Sequence, residues 1–166
     1  SYRKDAPANL VGGAPTKANV WQTNVNTMYN LGRTVLAPQG TFLAEIAHTD
    51  ISSHDAINGN KKLLMGSYGT AFSTTLSLVY PGIIENWELS VPVSYSRQLK
   101  GRTVQGNLGM GEGDHRLSVG ATMTYRRNLQ IGLTYMGYLG KASLDPVKNR
   151  ALTDRDQLTA MVKYTF

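Results

Sequence analysis

The 166-residue chain contains no cysteine, which excludes disulfides and thiolate metal sites. It also lacks any run near the roughly 18 apolar residues of a membrane-crossing helix. Its longest apolar stretches are only a few residues, such as Leu63 to Met65, so a helical span is excluded. Charged residues are sparse at 17%, and hydrophobic residues, at 41%, fall below an ordinary globular composition. Gly, Ser, Thr, Asn and Gln make up the difference. That balance suits a sheet with one wet face, where only every second residue must be apolar. No secretory leader is visible at Ser1, as expected either of a matured or cut N-terminus or of a chain that is not exported.

The net charge is +6. Its basic residues concentrate in expected connections: Lys61, Lys62, Lys100, Arg102, Lys141, Lys148 and Arg150. A basic rim against anionic lipid head groups accounts for this distribution, and nucleic acid is not an expected partner.

What the chain does contain is alternation. In Gln157 to Phe166, Leu158, Ala160, Val162, Tyr164 and Phe166 share one face of a strand, with Gln157, Thr159, Lys163 and Thr165 opposite. The same period marks six earlier segments. The first, Ala18 to Leu31, sets Trp21, Val25, Tyr29 and Leu31 against Gln22, Asn24, Asn26 and Asn30. Asn is depleted in soluble strands, so an amide row implies a wet lumen. Thr41 to Thr49 sets Phe42, Ala44 and Ile46 against Thr41, Glu45 and Thr49, and Thr70 to Tyr80 sets Phe72, Leu76, Leu78 and Tyr80 against Ser73, Thr75 and Ser77. Trp87 to Leu99 alternates most clearly, but Pro92 inside it predicts an edge strand or a bulge. His115 to Arg126 and Leu129 to Leu139 complete the set.

Residues 1–17 carry two Pro and two Gly without alternation and are expected as loop, leaving residues 18–166 as the strand region of one domain. The connections then alternate short and long, and the strands have the length of tilted membrane crossings. The expected fold is an all-β, antiparallel transmembrane β-barrel meander with about seven strands in this chain. Bacterial barrels of this kind have an even strand number with both ends in the periplasm. An odd count therefore implies part of a larger barrel. The rival is a complete eight-stranded barrel with an irregular first strand.

Three stretches carry a resemblance: FLAEIAHTD (Phe42 to Asp50), YPGIIENWELSVPVSYS (Tyr80 to Ser96) and LTDRDQLTAMVKYTF (Leu152 to Phe166). They resemble the C-terminal part of a large family of proteobacterial outer-membrane proteins known only as a domain of unknown function. The resemblance implies a porin-like channel in the bacterial outer membrane, sometimes linked to hydrophobic compounds, and supplies no catalytic residues. Its members are several hundred residues long, which again implies a portion of a larger barrel. The ending with Val162, Tyr164 and Phe166 also resembles the C-terminal signal of outer-membrane barrels, which implies recognition by the barrel-assembly machinery.

The candidate lumen residues are Glu45, Glu88, Arg116, Arg126 and Lys163, with Gln22, Asn24 and Asn26. They either form an electrostatic constriction with opposed acidic and basic walls or simply solvate a wide interior. The candidate membrane girdle has Trp21, Phe72 and Tyr95 at the external end. Tyr29, Phe42, Tyr80, Trp87, Tyr125, Tyr164 and Phe166 form its internal end. Arg97 lies on the apolar face just beyond Tyr95, placed to snorkel to head groups.

His48, Asp50, His54 and Asp55 match no zinc spacing, and Gly106 to Gly113 lacks the Lys-Ser/Thr of a phosphate loop. No metal, cofactor or catalytic residue is expected. Expected partners are outer-membrane lipids and lipopolysaccharide, the assembly machinery and the remaining strands of the barrel; an oligomer is compatible. The function expected is passive passage of small or hydrophobic solutes. The alternatives are a small structural or adhesion barrel, and an outer-membrane enzyme whose site lies in a missing part.

Overall fold

The computed structural model describes residues 2–11, 14–63, 65–102, 111–145, 147–148 and 155–166, with side chains of 3–15 outside that description. Among the described residues eight strands form one antiparallel meander in the order β1 to β8. They are β1 Tyr2–Val11, β2 Ala14–Gly32, β3 Gln39–His54, β4 Tyr68–Ile84, β5 Trp87–Gly101, β6 His115–Tyr125, β7 Leu129–Tyr138 and β8 Gln157–Tyr164. The sheet is open, since β1 and β8 each pair with one neighbour. No helix occurs among the described residues.

Strands β2 to β8 are the seven expected from alternation. The expectation of a loop over residues 1–17 is corrected: β1 occupies Tyr2–Val11, and β2 starts at Ala14. With eight strands among the described residues, the seven-strand count that implied a larger barrel no longer holds. Pro7 is tolerated because β1 is an edge, and Pro15 because it lies ahead of Ala18, where the β2–β3 pairing begins, so neither missing N–H breaks a second ladder. The pairing of β1 with β2 slips twice, between Arg3 and Ala6 and between Pro7 and Leu10. Irregular pairing of this kind erases the period-two pattern that sequence reading depends on.

Pro92 gives a second correction. Strand β5 is interior, and Pro92 pairs with Ser77 of β4 without a shift of register, while the β5–β6 pairing passes over Val91 and Pro92 and resumes in the same register at Val93 and Val119. Gly120 of β6 makes the room: a Cβ there would meet Pro92 Cγ at 3.2 Å and Thr134 Oγ1 at 3.2 Å.

The connections at one end are short, residues 33–38, 85–86 and 126–128, and those at the other are long, residues 55–67, 102–114 and 139–156. The β1–β2 link at residues 12–13 is the exception, a brief connection at the long-loop end. Following the pairings back to β2 reveals a one-directional stagger at that end. The β1–β2 pairing ends at Ala14, and the β3–β4 pairing ends on the row of Trp21 through Asp50 and Tyr68. The β5–β6 pairing ends on the row of Val25 through Ile46, Phe72, Arg97 and His115. The β7–β8 pairing ends lower still, on the row of Met28 that reaches Gln157.

Candidate functional site

Paired residues of an antiparallel sheet project to the same side, so the register assigns every side chain to a face. One row runs Tyr29, Phe42, Leu76, Val93, Val119, Tyr135 and Leu158 across β2 to β8. A second runs Tyr80, Leu89, Met123, Ile131 and Val162. Nothing covers these rows among the described residues. Tyr29 is 65% exposed, Leu158 68% and Val162 74%. A soluble sheet would bury such a face against a second layer.

The opposite face is mostly polar, although Met28, Leu43, Met136 and Met161 also lie on it. Its central row is Asn26, Glu45, Ser73, Ser96, Arg116 and Tyr138. Glu45 and Arg116 thus belong to one row, three strands apart. At about 4.8 Å per strand they stand roughly 14 Å from each other, far beyond an ion pair. The row neighbours of Glu45 are Asn26 and Ser73, and those of Arg116 are Ser96 and Tyr138. Neither carboxylate nor guanidinium meets an opposite charge there. The Arg116 guanidinium lies 5.2 Å from the Tyr138 ring centroid, a cation–π contact that holds it over the sheet.

Gln22, Asn24 and Glu45 line one concavity together with Ala47, Ala71 and Ser73. Nearer the short turns, Glu88, Thr124, Gln130 and Lys163 form another polar row. Arg126, expected on the strand, instead sits in the β6–β7 turn with φ of 45°. There it lines a cleft with Glu88, Thr124 and Arg127, its guanidinium 5.3 Å from the Tyr125 ring.

The aromatics gather at strand ends. Trp87 and Tyr125 meet with tilted rings at 5.1 Å, and Phe166, just past β8, meets Tyr164 edge-on at 5.0 Å. Trp87, Tyr125, Leu129 and Tyr164 share one row at the short-turn end. Tyr80 donates from its hydroxyl to Leu36 O at 2.8 Å. Tyr29 and Phe42 pair near the β2–β3 turn, although the stagger carries their row through the middle of β5 and β6. At the long-loop end Trp21 meets Tyr2 with tilted rings at 4.8 Å and shares a row with Tyr68. Phe72 and Tyr95 lie on lower rows of the same staggered rim, and Arg97 pairs with Phe72 and His115.

Sequence reasoning missed Tyr2, Tyr68 and Tyr138. The first lay in a segment without alternation, the second in a stretch read as loop, and Tyr138 matters only once its partner Arg116 is known. His48, Asp50, His54 and Asp55 do not converge: His48 Nδ1 meets Thr70 Oγ1 at 2.8 Å, and His54 Nε2 meets Lys61 O at 2.6 Å. Most of the Gly106 to Gly113 stretch lies outside the described residues.

The class defined by this fold is an all-β, single-sheet meander with one apolar and one mostly polar face. The model of the family described as "Protein of unknown function (DUF1302)" matches residues 1–166, and the chain belongs to that family. The match extends beyond the three stretches that carried the resemblance. Neither the curated proteins nor the solved structures contain a match to this chain.

Proposed function

We propose that this chain contributes strands to a β-barrel of the bacterial outer membrane, through whose polar lumen small or hydrophobic solutes pass passively. The observation that carries the reading is the uncovered apolar row from Tyr29 to Leu158, set back to back with the charged and hydroxyl row from Asn26 to Tyr138. Hydrocarbon is the solvent that stabilises the first, and water the second. The one-directional stagger is the shear that a sheet needs in order to close. Lipids and lipopolysaccharide contact the aromatic-ended face, further strands continue the open edges of β1 and β8, and Val162, Tyr164 and Phe166 address the assembly machinery.

The test is insertion of the purified protein into planar bilayers, with fractionation of the producing cells. Discrete conductance steps and recovery in the outer membrane are expected. A water-soluble monomer giving no conductance overturns the proposal.

A further inference from the structure

Among the described residues the buried apolar cluster is Ala18, Val20 and Ile51, and Leu63 packs against it. Its position is unexpected. Val20 pairs with Ile51, two residues from the pair Gln22 and Thr49, so the cluster sits on the polar face at the long-loop end. An apolar patch on a wet face is unfavourable unless something covers it, and Leu63 of the β3–β4 connection does so.

The connection is also pinned by hydrogen bonds. Asp55 N donates to Lys17 O at 3.0 Å, and Thr16 Oγ1 donates to Asp55 O at 2.9 Å. Ile57 and Asn60 exchange two backbone bonds of 3.0 and 2.9 Å, closing a tight turn in which Asn58 has φ of 50° and Gly59 of 76°. Asn60 Oδ1 accepts from Lys62 N at 2.9 Å, and His54 Nε2 donates to Lys61 O at 2.6 Å. The turn is thus held in one shape, with Lys61 and Lys62 exposed on it.

We infer that residues 55–63 form a fixed constriction on the lumen side of the sheet, where Lys61 and Lys62 favour passage of anionic solutes. Fixed cationic side chains at a narrowing raise the local concentration of anions and repel cations. The positioning rests on the contacts above, and the selectivity rests on the channel reading.

Because the chain has no native cysteine, Leu63→Cys combined with Val20→Cys or with Ile51→Cys gives a clean crosslink in the membrane-inserted protein. Efficient oxidation to a disulfide, with parental conductance retained, is expected. Leu63→Asp should raise single-channel conductance, and the double variant Lys61→Glu, Lys62→Glu should lower the anion-to-cation permeability ratio severalfold. No crosslink in either pair overturns the placement. A crosslink combined with unchanged conductance in Leu63→Asp, or unchanged ion preference in the double variant, overturns the constriction. If the parent protein conducts nothing, the channel reading fails and the constriction with it, while the crosslink still reports where the loop lies.

Discussion

Glu45 of β3 and Arg116 of β6 occupy one cross-strand row, with only Ser73 and Ser96 between them. Two hydroxyls are too short to bridge charges held that far apart, so each charge acts on what lies above the sheet. The row therefore has an acidic end and a basic end, too far apart to staple strands.

Neutralising one end should bias the balance. Glu45→Gln is expected to shift ion preference toward anions, and Arg116→Gln toward cations, each by a fewfold in the permeability ratio measured under a salt gradient. Stability should change little for Glu45→Gln, whose neighbours make no charged contact with it. Equal permeability ratios in both variants and the parent would leave the charges with only a solvating role.

Asp156, just ahead of β8, receives hydrogen bonds from the Tyr135 hydroxyl and from the Tyr138 amide, the latter at 3.1 Å. These donors, the hydroxyl foremost, hold its carboxyl below the usual aspartate range. The sign follows from linkage: a depressed folded pKa means the tether is fully present above the ordinary aspartate value and is lost as pH falls through the lowered one. Carboxyl NMR should place the Asp156 midpoint below that of an unstructured aspartate. Asp156→Asn should remove that acid-dependent change and speed amide exchange at Tyr138 at neutral pH.

Gly101 closes β5 against β4, with φ of +60° and with Tyr68 O only 2.1 Å from where a Cβ would be. Backbone cannot yield as a flexible side chain can. Gly101→Ala therefore combines a left-handed conformation, worth about 1–2 kcal/mol, with displacement of the neighbouring strand. Urea unfolding in lipid vesicles should show a loss of at least about 2 kcal/mol, within the range of steric overpacking. A stability equal to the parent would mean that this end of the sheet is not fixed as described.

How much of this was legible beforehand depended on whether a residue's role is local. Strand β5 was visible because Trp87, Leu89, Val91, Val93 and Tyr95 repeat with period two, and period two is a property of the strand alone. Strand β1 was not, because its pairing slips twice and Pro7 resembles a breaker without knowledge that the strand lies at an edge. Pro92 was misjudged for the same reason. Its tolerance depends on Gly120, which is 28 positions away in sequence and adjacent only through register. The candidate lumen charges could be named from parity, yet their separation by Ser73 and Ser96 required the pairing of four strands. Arg126 fell outside its strand because the turn begins one residue earlier than alternation indicated, and ends of elements are where hydrogen bonding outweighs pattern.

The claim that each face meets a different solvent is testable with two adjacent residues of β4. Leu76 lies in the apolar row between Phe42 and Val93, whereas Ser77 lies on the polar face between Thr41 and Pro92. The two share a strand and a depth and differ chiefly in the side they face. An arginine placed on a lipid-facing site near the bilayer midplane costs about 2–4 kcal/mol, while one in a wet lumen keeps its hydration. Leu76→Arg should therefore destabilise the folded protein in vesicles by about that amount, and Ser77→Arg should cost under about 1 kcal/mol while lowering conductance by partly filling the lumen. Were both faces wetted by water, the two arginines would be tolerated alike. Were the apolar face packed against protein, Leu76→Ala would itself cost the 2–5 kcal/mol of a buried cavity, whereas a lipid-facing Leu76→Ala loses much less because acyl chains close over the gap. The ordering Leu76→Arg, then Leu76→Ala, then Ser77→Arg, from most to least destabilising, is thus specific to a sheet with hydrocarbon on one side and water on the other.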